Sequence, residues 1–154
     1  MDAIKQLRAA QYRAGMPRLW LRRTPRCPCS FRSLRDAVRL AAQDPQRRPV
    51  LISGEPGLEK DNLAALVHFG SGDRRHVLIR VDTSLLRADG GDLFHGSLSQ
   101  GPPLLECLGQ GCVLLDRFDA APPELRALLI ELARTGQWPG CSKPFQGRLL
   151  FTAE

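Results

Sequence analysis

No apolar run in this chain of 154 residues is more than a few residues long, and Ala127–Ile130 and Cys112–Leu115 are typical. A membrane-spanning helix needs about 20 consecutive apolar residues, so none is expected. No apolar stretch follows the N-terminus, so a secretory signal is not expected either, and the cytoplasm is the expected compartment. Ser is absent before Ser30 and Asp2 follows the initiator, which argues against an organelle transit peptide. Cysteines are few and odd in number: Cys27, Cys29, Cys107, Cys112 and Cys141. In a chain neither short nor cysteine-dense that argues against a disulfide scaffold and for free thiols. Cys27 and Cys29 stand like half of a metal site, but no second pair follows and His68, His76 and His95 are scattered, so zinc is a minor alternative. Lysine is scarce as well, three residues against nineteen arginines.

What is present is ordinary for a globular protein. Hydrophobic residues make up 43% and charged residues 25%, enough for one buried core and too much for a disordered chain. The net charge is +6, and it is unevenly spread. Residues 1–49 carry twelve Lys/Arg and three Asp/Glu, whereas the remainder carries ten and thirteen. A basic, irregular extension over residues 1–30 thus precedes a mildly acidic body over residues 31–154. In and beside residues 18–26, Arg18, Arg22, Arg23 and Arg26 are interleaved with Trp20 and the prolines Pro17, Pro25 and Pro28. Nucleic-acid binding through this segment is one reading and a solvated extension the other. The second is preferred, because no recognition motif accompanies the charge.

Periodicity gives an α/β alternation. Ile4, Leu7 and Gln11 hint at a short first helix, and Gly15 to Ser30 reads as irregular. Ser33 and Asp36 resemble a capping box, followed by a helical stripe at Leu34, Ala37, Val38 and Ala41. Strands are expected at Pro49–Ser53, His76–Asp82, Cys112–Asp116 and Arg148–Thr152. Helices are expected at Leu63–Val67 up to Gly70, after Pro102–Pro103, and from Pro122 to Gly136, where two prolines and Glu124 suit a first turn. Strands alternating with helices imply a mostly parallel sheet.

One segment carries chemistry. Gly54-Glu55-Pro56-Gly57-Leu58-Glu59-Lys60-Asp61 follows a strand and opens a helix, the context of a phosphate-binding loop. Backbone amides of such a loop cradle phosphate oxygens, with Lys60 reaching the outer phosphates. Asp116 ends an apolar strand, as does the acid that holds magnesium in P-loop enzymes. The pattern is broken twice, since Glu59 stands at the second glycine and Asp61 at the hydroxyl residue. A carboxylate at position 59 opposes phosphate by about 4 kcal/mol for a contact near 4 Å at an effective dielectric of 20.

From about Ser33 to Glu154 the chain resembles the AAA+ domain of sigma-54-dependent transcription activators. The family's G-E-T-G-T-G-K-E is similar to Gly54–Asp61, and its V-N-C-A and E-L-F-G-H are similar to Val81–Ser84 and Asp92–Gly96. Its G-G-T-L-F-L-D-E-I resembles Gln110–Phe118, its long P-L-E-L-Q helix resembles Pro122–Trp138, and its R-V-I-A-A-T-N strand resembles Arg148–Glu154. The loop is also similar to that of degenerate relatives in cyanobacterial multidomain proteins.

The resemblance implies a P-loop NTPase sheet with flanking helices, truncated on its C-terminal side without the lid. It implies ATP binding linked to regulation of transcription, with Gly54, Glu55, Pro56, Gly57, Leu58, Glu59, Lys60, Asp61 and Asp116 at the nucleotide and Asp116 at magnesium. The departures imply weak nucleotide binding and no effective hydrolysis. Arg117 stands where the family has its catalytic glutamate, and Glu154 where it has a sensor asparagine. The sigma-factor loop G-A-F-T-G-A is replaced by Leu98-Ser99-Gln100-Gly101-Pro102, which puts that contact in doubt. The arginine fingers are missing, and the strand over Pro49–Ser53 becomes an open edge that favours marginal stability and self-association. The alternative reading is a non-catalytic interaction scaffold of a signalling protein, with other subunits or domains as partners.

Overall fold

A computed structural model describes residues 29–96 and 101–154, with the side chains of residues 29–32 left out. The short first helix at Ile4–Gln11, the basic segment 18–26, Cys27 and Leu98–Gln100 lie outside the described residues. Among the described residues four strands and four α-helices alternate: α1 (Cys29–Ala42), β1 (Val50–Ser53), α2 (Lys60–Phe69), β2 (Leu78–Asp82), α3 (Leu104–Leu108), β3 (Cys112–Asp116), α4 (Pro123–Thr135) and β4 (Arg148–Ala153). All strand pairs are parallel, in the order β1-β4-β3-β2. The expected α/β parallel sheet is therefore present.

The central strands are buried on both faces, as parallel strands between helices must be. Their side chains alternate between two cores. Val113 and Leu115 of β3 with Leu149 and Phe151 of β4 meet Leu125, Leu129 and Leu132 of α4. Cys112, Leu114 and Leu150 meet Ala64 and Val67 of α2 on the other face. Leu125, Leu129 and Leu132 are thus the inner face of α4, and Gly136 ends that helix with φ 75°, a conformation glycine adopts without a Cβ penalty.

Two sequence expectations change. α1 begins at Cys29, four residues before Ser33, so Ser33 and Asp36 do not form a capping box. The helix runs through Ser33, where no breaker interrupts it, and Asp36 instead pairs with Arg39 at 3.5 Å. Cys29 and Ser30, the last two residues of the stretch expected to be irregular, lie within α1. β2 begins at Leu78 rather than His76, because Gly72–Arg75 forms a 3-10 turn that takes the His76 amide, which donates to the Asp73 carbonyl at 2.8 Å. Among the described residues β1 pairs only with β4, and Leu51 on it is 60% exposed. Cys107, Cys112 and Cys141 are free thiols, and no helix among the described residues is long and apolar enough to cross a membrane.

A charged cluster fastens the N-terminal ends of the strands. Arg148 opens β4 and is 1% exposed. Its Nε donates to the Arg48 carbonyl at 3.1 Å and its Nη2 to the Ala41 carbonyl at 2.7 Å, tying β4 to the end of α1. Buried Asp73 faces it at 3.9 Å and lies 2.8 Å from Arg47 Nε. Arg47 also caps the Gln146 and Gln110 carbonyls. His68 of α2 is fully buried beside this cluster. The opposite edge of the sheet, at the carboxyl ends of the strands, is left open for a site, as is general in open parallel sheets.

Candidate functional site

The chain leaves β1 at Ser53 and enters α2 at Lys60 through Gly54–Glu59. Two residues give this loop its shape by left-handed backbone: Gly57 at φ 80° and Glu59 at φ 49°. The first is free for glycine. The second is where the phosphate-loop pattern has its other glycine, and an L-residue there is strained by about 1 kcal/mol or more. The backbone curve of the motif is therefore kept although its residue is not. No side chain caps α2, so its first amides remain directed at the loop, where an anion finds donors and the positive end of the helix dipole.

The side chains around the loop are paired with one another. Lys60 Nζ donates to the Gly54 and Glu55 carbonyls, both at 2.8 Å. Asp116, at the end of β3, accepts from the Thr152 hydroxyl through one oxygen and from Arg80 through the other, with Arg80 Nε at 3.0 Å. Burial alone raises the Asp116 pKa, but the Thr152 and Arg80 bonds outweigh it and hold the carboxyl below its usual range. Arg80 Nη1 reaches on to Asp61 Oδ2 at 2.9 Å. Arg117, left-handed at φ 54°, donates through Nη2 to Asp82 and to the Ser84 hydroxyl, both at 2.6 Å. The Arg117 bond, ahead of that from Ser84, draws the Asp82 pKa down to about 2. The hydroxyl of Thr83 lies 2.9 Å from both the Asp116 and Arg117 carbonyls and fixes the turn after β3.

These groups surround one cleft of about 280 Å³. Of the residues nominated from sequence, Gly57, Leu58, Glu59, Lys60, Asp61 and Asp116 line it, whereas Gly54, Glu55 and Pro56 shape the loop behind it. Arg80 and Thr152 line it too and were not nominated. Arg80 had a signal, since a charged residue interrupts the apolar strand H-V-L-I-R-V-D. Thr152 had none, because a threonine in a strand is unremarkable before its partner is known.

Asp116, the residue expected to hold magnesium, is already paired with Arg80, which also pairs with Asp61. The residues present do not fit the ion that sequence reasoning placed at Asp116.

Glu59 is exposed at the mouth of the cleft. Glu59→Gly should relieve the left-handed strain and remove a charge that repels phosphate. Solvent screens an exposed carboxylate, so removal of about 1.4 kcal/mol of repulsion is expected, which is about tenfold in ATP affinity. Calorimetric titration of both proteins checks it, and equal affinities would show that Glu59 points away from the ligand.

No family model matches the chain, and no curated protein does. Solved structures do. NtrX from Brucella abortus in complex with ADP is 18% identical and superposes with a TM-score of 0.66 over 87% of this chain and 31% of that one. The same protein in complex with ATP gives 19% identity and a TM-score of 0.67, over 82% of this chain and 30% of that one. A RuvB mutant from Thermotoga maritima gives 18% identity and a TM-score of 0.56, over 79% and 37%. The chain thus spans little more than a third, at most, of the structures it resembles. Together with the strand order, the matches show an α/β fold with a four-stranded parallel sheet and flanking helices, the fold of AAA+ P-loop NTPase structures.

Proposed function

We propose that this chain is an AAA+-type module that binds ATP weakly without hydrolysing it and serves regulation of transcription rather than catalysis. The observation that carries the reading is the contrast between loop and catalytic position. The phosphate loop keeps its curvature, down to the left-handed backbone at Glu59. At position 117, where the resembled family has a water-activating glutamate, a guanidinium is bound to Asp82 and Ser84. An arginine supplies no base. NtrX, the protein in the best-superposing structures cited above, was solved with ADP and with ATP, which supports nucleotide as the ligand class. Sigma-54 contact is not part of the proposal, since most of the segment replacing that loop lies outside the described residues.

ATP turnover by the purified chain should be indistinguishable from background. Steady-state phosphate release that disappears in Lys60→Ala would overturn the non-hydrolytic part of the proposal. Arg117→Glu alone should not restore turnover, because phosphoryl transfer also needs a metal ion that bridges the β- and γ-phosphates.

A second reading, a non-catalytic interaction scaffold, is favoured by one feature. The outer side of β1 meets no described strand, and Leu51 on it is 60% exposed. Such an edge pairs readily with another chain.

A further inference from the structure

We infer that the Arg80 guanidinium stands in for the divalent cation, so that the cleft takes a nucleoside triphosphate free of metal. This rests on the nucleotide reading above and goes beyond it. In P-loop enzymes the metal is shared by the residue after the loop lysine and the acid at the end of the neighbouring strand. Those positions here are Asp61 and Asp116, and one cation already joins them. Arg80 enters from β2 and bonds Asp116 through Nε and Nη2 and Asp61 through Nη1.

A carboxylate at position 61 can coordinate a metal or pair with a guanidinium, and here it is paired with Arg80. The guanidinium cannot lose its charge in the physiological range, so a divalent ion could enter only by displacing it from both carboxylates. Three of its five donors are used on those carboxylates. It also lines the cleft alongside Lys60, so the remaining donors are available to phosphate oxygens. A planar fork suits that task.

The inference separates cleanly from ordinary P-loop binding. The full chain and the Glu59→Gly variant are titrated calorimetrically with ATP, once in excess EDTA and once in excess magnesium. Affinities that agree within about threefold in the two buffers are the expected result. Arg80→Met, which leaves two uncompensated carboxylates facing phosphate, should then bind ATP at least tenfold more tightly with magnesium than with EDTA. Manganese binding to Arg80→Met, followed by electron paramagnetic resonance, should exceed that to the unsubstituted chain. If the unsubstituted chain binds ATP tenfold or more tightly with magnesium, the inference is overturned while the nucleotide reading stands. Binding in neither buffer, by either the full chain or Glu59→Gly, overturns the nucleotide reading and this inference with it.

Discussion

Asp73→Ala should destabilise the fold by about 3 kcal/mol. The carboxylate is buried between Arg47 at 2.8 Å and Arg148 at 3.9 Å. Removing one partner of a buried ion pair leaves the other charge uncompensated and costs roughly 3–5 kcal/mol. The lower end is expected here, because the Arg148 contact is long and Arg47 is partly exposed. Arg148 keeps its bonds to the Arg48 and Ala41 carbonyls in the variant, so the loss isolates the charge. Asp73→Asn should lose nearly as much, since it keeps the shape and not the charge. Urea denaturation of the three proteins tests this. A loss below about 1 kcal/mol in Asp73→Ala would mean that water compensates the two arginines and that the cluster is not sealed.

The second large effect is a dependence of stability on pH. His68 is fully buried, and neither ring nitrogen makes a hydrogen bond of normal geometry. Burial draws its pKa from 6.5 to about 4, while the Asp73 carboxylate and the His76 backbone favour the cation without overcoming burial. In the unfolded chain the ring takes up its proton near pH 6.5. Between about pH 6.5 and 4 the unfolded state therefore binds more protons than the folded one. Stability is complete above pH 6.5 and falls as the pH drops toward 4, by up to about 3 kcal/mol. The lowered carboxylates, Asp82 and Asp116 among them, start from 3.8 and add their losses only at lower pH. His68→Leu should flatten the slope between pH 6.5 and 4. A variant that keeps the slope would place its origin elsewhere.

The parts of the fold that could be read from sequence are those governed by local pattern. The strand Cys112–Asp116 and the helix stripe Leu125, Leu129 and Leu132 follow from apolar runs and helical spacing. The phosphate-loop curvature was legible at Gly57, yet Glu59 spoke against it. Only tertiary context shows that an L-residue accepts φ 49° there. Helix starts were less legible, because Ser33 caps a helix only if the chain before it is not helical. The buried cluster of Arg47, Asp73 and Arg148 could not be read at all. Charged residues are assigned to the surface unless a partner is known, and here the partners lie 26 and 75 residues away from Asp73 along the chain. The same limit hid Arg80. Its role depends on two acids, one 19 residues before it and one 36 after it.

On the proposed function, the loop at the carboxyl end of β1 is a phosphate site by construction and not by coincidence of sequence. Titration calorimetry of the full chain with ATP, beside Lys60→Ala, tests it most directly. The account predicts weak, saturable, one-to-one binding that is lost in Lys60→Ala. Binding that survives Lys60→Ala unchanged, or no binding even when Glu59→Gly removes the opposing charge, would contradict it.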